Sequence, residues 1–264
     1  MAKIHFLGTC SGTEPMEGMH QTSTVVEADG VNYWFDAGEN CGYRAFLSGV
    51  DVLKSRALFL SHMHIDHTGG LPHLFFCIQK MIAMKKGRLI NDNTMDIFSP
   101  KPEVVGAIKS VTCGNVQSHA ALLFTTNDLP MHDGLLFDDG VLRVSALHNT
   151  HLHEDGSRGW HAYSFLIEVD GKRVVHSGDV GKIEELLPLM EGGCDLLIME
   201  TGHHKVSDVC KYAAAKKVGA LRFNHHGREI LNDREACLLL VSGYEKESGI
   251  SMKILHDGWI ENMD

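Results

Sequence analysis

The strongest signal in this chain is the segment Ser61-His62-Met63-His64-Ile65-Asp66-His67-Thr68-Gly69-Gly70. It follows an apolar run at residues 57–60, which predicts a short buried strand, and it precedes a largely apolar segment at 71–84 that is long enough for a helix. Three histidines and a carboxylate therefore occupy a strand-to-helix loop, where side chains can converge on one point. Imidazole and carboxylate are ligands of zinc and its first-row neighbours. The stretch predicts a metal site.

The alternative is that the loop is rich in histidine by chance, because the chain holds 18 His among 264 residues. A lone histidine in such a chain is usually a surface or core group. Four candidate ligands close together, followed by Gly69 and Gly70 ahead of a helix, favour the metal interpretation. Two histidines and then an Asp-His pair suit two adjacent ions better than one structural ion, whose four positions they would fill.

The rest of the sequence mixes strands with helices. Asp29-Gly30 and Asp170-Gly171 each separate two β-rich runs, and each pair predicts a hairpin turn. From residue 183 onward, segments typical of helices alternate with short apolar strands. Because no low-complexity tract or tandem motif repeat divides the chain, we expect one α/β domain over residues 1–264.

Several motifs resemble those of the metallo-β-lactamase superfamily, and in particular its RNase Z-like branch. The loop at 62–67 has the family's His-x-His-x-Asp-His pattern, and residues 35–39 (FDAGE) resemble its strand ending in Asp-x-Gly. Residues 8–15 (GTCSGTEP) resemble the opening turn of the branch, while 175–179 (VHSGD) and 224–227 (NHHG) resemble later ligand motifs. The resemblance covers nearly the whole chain and implies a four-layer αββα sandwich.

The resemblance also implies a ligand set for two divalent metal ions. One ion would be held by His62, His64 and His151 and the other by Asp66, His67 and His225, with Asp179 bridging them. His148 is an alternative to His151, and His153 and His161 lie in the same region. Asp36 would orient the histidine loop, or would be only a turn residue. Zinc is the expected metal, and manganese or iron would also be accepted.

A water between two such ions would be the nucleophile of a hydrolase, with Asp66 orienting it. RNase Z-like phosphodiesterases carry a histidine ahead of the last ligand that protonates the leaving oxygen. His203 falls on that position, with His204 as the near alternative; the other interpretation is a histidine that caps or packs a helix. Because an alkoxide leaves poorly without a proton donor, this histidine favours phosphodiester substrates.

The distance in sequence between two of these ligands limits the classes of substrate that the resemblance implies. The tRNA-processing members of the branch insert a long arm between the third histidine and the bridging aspartate, whereas His151 and Asp179 are only 28 positions apart. The resemblance therefore implies a small, cyclic or short nucleotide phosphodiester rather than extended nucleic acid. Two alternatives stay open: an acyl hydrolase, such as a lactonase, thioesterase or β-lactamase-like enzyme, and a metal-binding scaffold or sensor without turnover.

Composition limits the partners. A formal net charge of −10 argues against broad binding to nucleic-acid backbone. Seven scattered cysteines without a Cys-x-x-Cys pair favour thiols in a reducing compartment, and the opening residues lack the apolar core of a signal peptide. No apolar stretch approaches the ~20 residues that span a bilayer. We expect a cytoplasmic chain without a membrane segment, and a homodimer remains open.

Overall fold

The computed structural model describes residues 1–114, 122–152 and 160–263. Its contacts divide the chain into two compact units. The first unit holds residues 1–8, 14–131 and 257–264, and the second holds 9–13 and 132–256. Each unit is built on one seven-stranded sheet with helices. A single domain over 1–264 remains a prediction.

The sheet of the first unit has the strand order β14-β1-β2-β3-β4-β5-β6. Its strands are β1 (Lys3–Gly8), β2 (Ser23–Ala28), β3 (Val31–Phe35), β4 (Ser55–Phe59), β5 (Thr94–Ser99), β6 (Thr125–Pro130) and β14 (Trp259–Asn262). Its helices are α1 (Cys41–Leu47), α2 (Ile65–Thr68), α3 (Leu71–Ala83), α4 (Ile90–Asn93) and α5 (Pro102–Gly114), with a 3₁₀ turn at Val52–Lys54.

The predicted hairpin between β2 and β3 is confirmed. Asp29 and Gly30 have φ angles of 49° and 73°, the left-handed conformation that a two-residue type I′ turn requires. From β3 onward the strands run parallel. Leu58 and Leu60 pack against the buried side of α3, which includes Leu74 and Ile78. This core fixes the end of β4, from which the histidine loop departs.

The sheet of the second unit has the order β13-β12-β11-β10-β9-β8-β7. Its strands are β7 (Gly134–Asp138), β8 (Leu142–His148), β9 (Tyr163–Val169), β10 (Lys172–His176), β11 (Leu196–Glu200), β12 (Ala220–Asn224) and β13 (Ser251–Ile254). Its helices are α6 (Leu187–Met190), α7 (Val206–Lys216), α8 (Arg228–Asn232) and α9 (Arg234–Ser248), with a 3₁₀ turn at Ile183–Leu186.

The second predicted hairpin, between β9 and β10, is also confirmed, because Asp170 and Gly171 repeat the φ angles of 49° and 73°. Strands β10, β11 and β12 are parallel, so their carboxyl ends lie at one edge of the sheet. Val175, Leu197 and Phe223 anchor these strands in a buried cluster with side chains of α7 and α9. The cluster holds the polar strand ends in fixed positions.

Two findings bear on the expectations from composition. Within the described residues, no helix combines the length and the apolar character needed to cross a bilayer. The six cysteines whose side chains are described form no disulfide bond. Burial raises the pKa of Cys41 and of Cys210 to about 12, which keeps both thiols protonated near neutral pH.

Candidate metal-binding clusters

The first cluster of candidate ligands lies on the loop that follows β4. After Leu60 the backbone forms one helical turn, α2, in which the amide of His67 donates to the carbonyl of His64 and that of Gly69 donates to Ile65. The turn gathers four side chains predicted as ligands. They are His62, His64, Asp66 and His67; His64 is exposed and the other three are buried.

The ligand atoms of this cluster have the spacing that a metal ion demands. Nε2 of His62 lies 2.9 Å from Nδ1 of His64, and Nε2 of His67 lies 3.5 Å from Oδ2 of Asp66. The rings of His62 and His67 are 4.0 Å apart between centroids. Two donors that each lie about 2.0–2.1 Å from a tetrahedral ion are separated by roughly 3.3 Å. The residues present therefore fit a divalent ion.

A buried carboxylate supports these histidines from behind. Oδ2 of Asp36 accepts a hydrogen bond from Nδ1 of His67 at 2.8 Å and another from Oγ of Ser61, and its Oδ1 accepts from the amide of Ser61. Because Nδ1 of His67 donates to Asp36, Nε2 is left to act as a ligand. Oγ of Ser61 also lies 3.1 Å from Nδ1 of His62. Asp36 orients the histidine loop, as the resemblance implies.

Close backbone packing holds Asp36 against the loop. Asp36 is left-handed with φ 61°, and the amide of Ala37 donates to the carbonyl of His67 at 2.7 Å. A Cβ atom added to Gly70 would lie 2.0 Å from the carbonyl oxygen of Gly38, so only glycine fits there. The Asp-x-Gly turn and the ligand loop form one hydrogen-bonded unit.

The second cluster lies at the carboxyl ends of separate strands. Asp179 follows β10, His225 follows β12, and His151 comes three residues after β8. Asp179 is buried at its centre: Oδ1 lies 3.3 Å from Nδ1 of His225, and Oδ2 lies 3.7 Å from Nε2 of His151. These spacings also suit ligands of a divalent ion.

His203 stands beside this cluster and is clamped by Glu200. The amide of His203 donates to Oε2 of Glu200 at 2.9 Å, and its Nδ1 donates to Oε1 at 3.1 Å. Nδ1 lies 3.8 Å from Oδ2 of Asp179, and the ring is 4.7 Å from that of His151 between centroids. The side chain of His203 is 44% exposed. His204 instead donates from Nε2 to the carbonyl of Val180 at 2.9 Å.

A tight backbone turn positions His225. Its φ angle is 47°, which is unusual for histidine, and its carbonyl accepts from the amide of Thr201 at 3.2 Å. A Cβ atom added to Gly202 would lie only 2.8 Å from Nδ1 of His225. Gly202 therefore leaves room for the imidazole next to Asp179.

The neighbouring His226 is packed away from the ligands. Its Nε2 donates to the carbonyl of Leu255 at 2.9 Å, and its amide donates to Thr9. Burial lowers the pKa of His226 to about 3, so the ring stays neutral. His226 supports the turn between β12 and α8 and lies outside the second cluster.

The structure places the two candidates for the third histidine ligand, His151 and His148, in different surroundings. His151 lies against Asp179, whereas His148 lies against the carboxylate of Asp133, 2.7 Å from its Oδ2, and stacks on Trp160. His161 precedes β9, and His153 lies outside the described residues.

Each unit thus gathers its own share of the predicted site residues. His62, His64, Asp66 and His67 meet in the first unit, and His151, Asp179, His203 and His225 meet in the second. Sequence reasoning gave no role to Ser61 or Glu200, which hold these side chains. The available signal was their place at or just after the end of a buried strand, with Ser61 directly before His62 and Glu200 three residues before His203. Ligand atoms of Asp179, His203 and His225 lie within 4.8 Å of one another, so His203 could also bind a metal.

Comparison with known proteins identifies the family. A model of the β-lactamase superfamily domain matches residues 32–225. The ribonuclease Z of Methanothermobacter thermautotrophicus is 27% identical over 151 residues, which cover 57% of this chain and 45% of that enzyme. This chain therefore matches less than half the length of that relative.

Two solved structures resemble the whole chain. The metallo-β-lactamase fold protein YhfI from Bacillus subtilis has a TM-score of 0.72 at 18% identity and covers 98% of each chain. A diphosphatase of the PhnP family has a TM-score of 0.67 at 13% identity, covering 100% of this chain and 98% of its own. These similarities confirm the predicted α/β metallo-β-lactamase fold.

Proposed function

The chain belongs to the β-lactamase superfamily, and we propose that it is a hydrolase that uses two divalent metal ions to cleave phosphodiester bonds. The similarity to ribonuclease Z supports the RNase Z-like branch, and the PhnP-family neighbour is named a diphosphatase. Both names refer to phosphate chemistry. The observation that carries the proposal is the pair formed by Glu200 and His203 beside Asp179.

The proposed ligands are those predicted from the sequence. His62, His64 and His151 would hold one ion, Asp66, His67 and His225 the other, and Asp179 both. Ligand spacings within each cluster support this assignment, and the pairing of the two clusters follows the ligand pattern of the family. The nitrogen-rich donor set favours zinc.

When bound, the ions would polarise the scissile bond and lower the pKa of water from ~15.7 towards ~7. The residues of the chain supply the rest. Asp36 and Ser61 fix the ring orientation of His67, so that Nε2 faces Asp66. Asp66 would orient the attacking water.

His203 is the proposed proton donor to the leaving oxygen. Nδ1 of His203 donates to Oε1 of Glu200, and this contact orients the ring so that Nε2 would be the nitrogen that donates the proton. The side chain of His203 is 44% exposed, which would let a substrate approach the ring. A leaving alkoxide needs this proton, whereas the leaving group of a lactone stays tethered to the product. The pair therefore favours phosphodiesters.

The first test replaces His203 with alanine and compares substrates that differ in their leaving group. His203→Ala should lower kcat by roughly 10²–10⁴-fold on a nucleoside cyclic phosphate, whose leaving group is an alkoxide. The loss should be smaller on bis-p-nitrophenyl phosphate, since nitrophenolate departs without a proton. Bound metal, measured by atomic emission, should be unchanged. His73→Ala, which removes an exposed histidine of α3, is the matched control.

Three outcomes would contradict the proposal. Loss of one metal equivalent in His203→Ala would make His203 a ligand rather than an acid. Turnover confined to lactones, thioesters or nitrocefin would favour an acyl hydrolase. Tight metal binding without turnover on any of these substrates would favour a scaffold or sensor.

A further inference from the structure

The second unit carries an aromatic pair that the proposed chemistry does not use. The ring of His148 stacks on that of Trp160, with 3.9 Å between centroids and 16° between planes. Trp160 is 37% exposed. We call His148 and Trp160 the aromatic platform.

A carboxylate holds the platform in place. Oδ1 of Asp133 accepts from the amide of His148 at 2.8 Å, and Oδ2 lies 2.7 Å from its Nδ1. His148 is also the last residue of β8 and pairs with Tyr163 of β9. Asp133 and the strand pairing therefore orient both the backbone and the ring of His148, on which the indole of Trp160 stacks. Such preorganised aromatic surface binds ligands at low entropic cost.

The platform lies next to the second cluster of candidate ligands. Three peptide units connect His148 to His151, so their Cα atoms lie within about 11 Å. Asn149 makes this connection rigid: its amide donates to Ala162, and its Oδ1 accepts from the amide of His151 at 3.0 Å. A nucleotide with its phosphate at His151 would have to extend over no more than about 11 Å to bring its base to His148.

We propose that the aromatic platform binds the purine or pyrimidine base of a nucleotide substrate; this inference rests on the proposed phosphodiesterase function. Every base has a π-face, and stacking on an aromatic side chain favours binding without sequence-specific hydrogen bonds. A sugar phosphate without a base has no such face. An aromatic pair whose His148 is held by Asp133, three residues before a candidate metal ligand, therefore favours nucleotides over other small phosphodiesters.

The test compares two esters with the same leaving group, the p-nitrophenyl ester of thymidine 5′-phosphate and methyl p-nitrophenyl phosphate. Trp160→Leu should raise KM for the nucleoside ester by about tenfold, as expected for one lost stacking contact, and leave kcat nearly unchanged. kcat/KM for the methyl ester should not change. Trp160→Phe should retain most of the affinity, and Trp259→Phe in the first unit is the control for loss of an indole.

Binding supplies a readout that does not depend on turnover. By calorimetry, adenosine 5′-monophosphate should bind the wild-type protein about tenfold more tightly than ribose 5-phosphate, and Trp160→Leu should abolish that difference.

If both esters are hydrolysed but neither KM nor the binding preference responds to Trp160→Leu, the platform is not a base site and the hydrolase proposal stands. An equal loss on both esters would also overturn it, because the shared nitrophenyl group would then be the ligand. If neither ester is hydrolysed yet the preference for adenosine 5′-monophosphate depends on Trp160, the hydrolase proposal fails and the base site stands.

Discussion

The two units share a strand topology but build their clusters in different ways. In each sheet four strands pair antiparallel and the rest continue in parallel: β14, β1, β2 and β3 before β4 to β6 in one, β7 to β10 before β11 to β13 in the other. In each sheet, the strand that follows an Asp-Gly hairpin, β3 or β10, is antiparallel to the strand before it and parallel to the strand after it. The aspartate that follows this strand is Asp36 in the first unit and Asp179 in the second.

These two aspartates occupy equivalent places in the topology but make different kinds of contact. Asp36 turns its carboxylate towards Ser61 and His67 and fixes a loop that already holds four candidate ligands. Asp179 lies among the candidate ligands themselves, against His151 and His225. One cluster is encoded within six consecutive residues, whereas the other depends on a sheet that brings distant strand ends together. Substitutions should therefore act locally in the first unit and more widely in the second.

The largest effect is expected at Asp179. Asp179→Asn keeps the shape of the side chain but removes the charge at the centre of the second cluster, and it should lower kcat/KM by about 10³-fold or more. Because the carboxylate is proposed to bind both ions, metal analysis should show less than one equivalent per chain. Asp170→Asn, in the exposed hairpin turn of the same unit, is the control. Retention of two tightly bound ions would refute the bridging role.

A smaller effect is expected at Asp36. Asp36→Asn replaces one of two oxygens, which together accept three hydrogen bonds from Ser61 and His67, with an amide NH₂ that only donates. Weakening the partner of a ligand in this way typically lowers metal affinity by about 10–100-fold. Chelator competition should show weakened binding of one ion and little change in the other. Asp29→Asn tests an aspartate that is also left-handed but lies in the exposed β2–β3 turn, and it should bind metal as the wild type does. Equal weakening of both ions would mean that the two clusters are not supported separately.

The smallest effect is a change in folding stability, and it is expected when a glycine is replaced by alanine. Gly202→Ala places a Cβ atom 2.8 Å from Nδ1 of His225, which must shift, and it should cost about 1–3 kcal/mol of stability. Gly243→Ala meets no atom within 4 Å in helix α9 and should instead stabilise the fold by roughly 0.5–1 kcal/mol. Urea denaturation of both variants measures the difference. Equal stability of Gly202→Ala and wild type would show that the turn around His225 adapts without strain.

Local sequence patterns predicted several elements of both units but missed the two edge strands of the first sheet. Both Asp-Gly hairpins and the helix after the histidine loop were predicted, because turn chemistry and apolar spacing act over a few residues. Strand β14 was not predicted, since it pairs with β1 at the far end of the chain. Strand β6 contains Asn127 and Asp128, which are poor strand formers, and it exists because β5 offers it a hydrogen-bonded edge. Residues 183–190 begin the region in which helices were expected to alternate with strands, and they form a 3₁₀ turn followed by the short α6.

Local sequence was enough to predict the residue types of the candidate ligands and the place of the first cluster, because three histidines and an aspartate on one strand-to-helix loop need no distant partner to meet. The contact between His151 and Asp179 comes from the folded chain. His148 and His151 are three positions apart and carry the same ring, so pattern cannot separate them. The difference arises because Asp133 faces one and Asp179 faces the other, and both contacts depend on how the strands of the second sheet align.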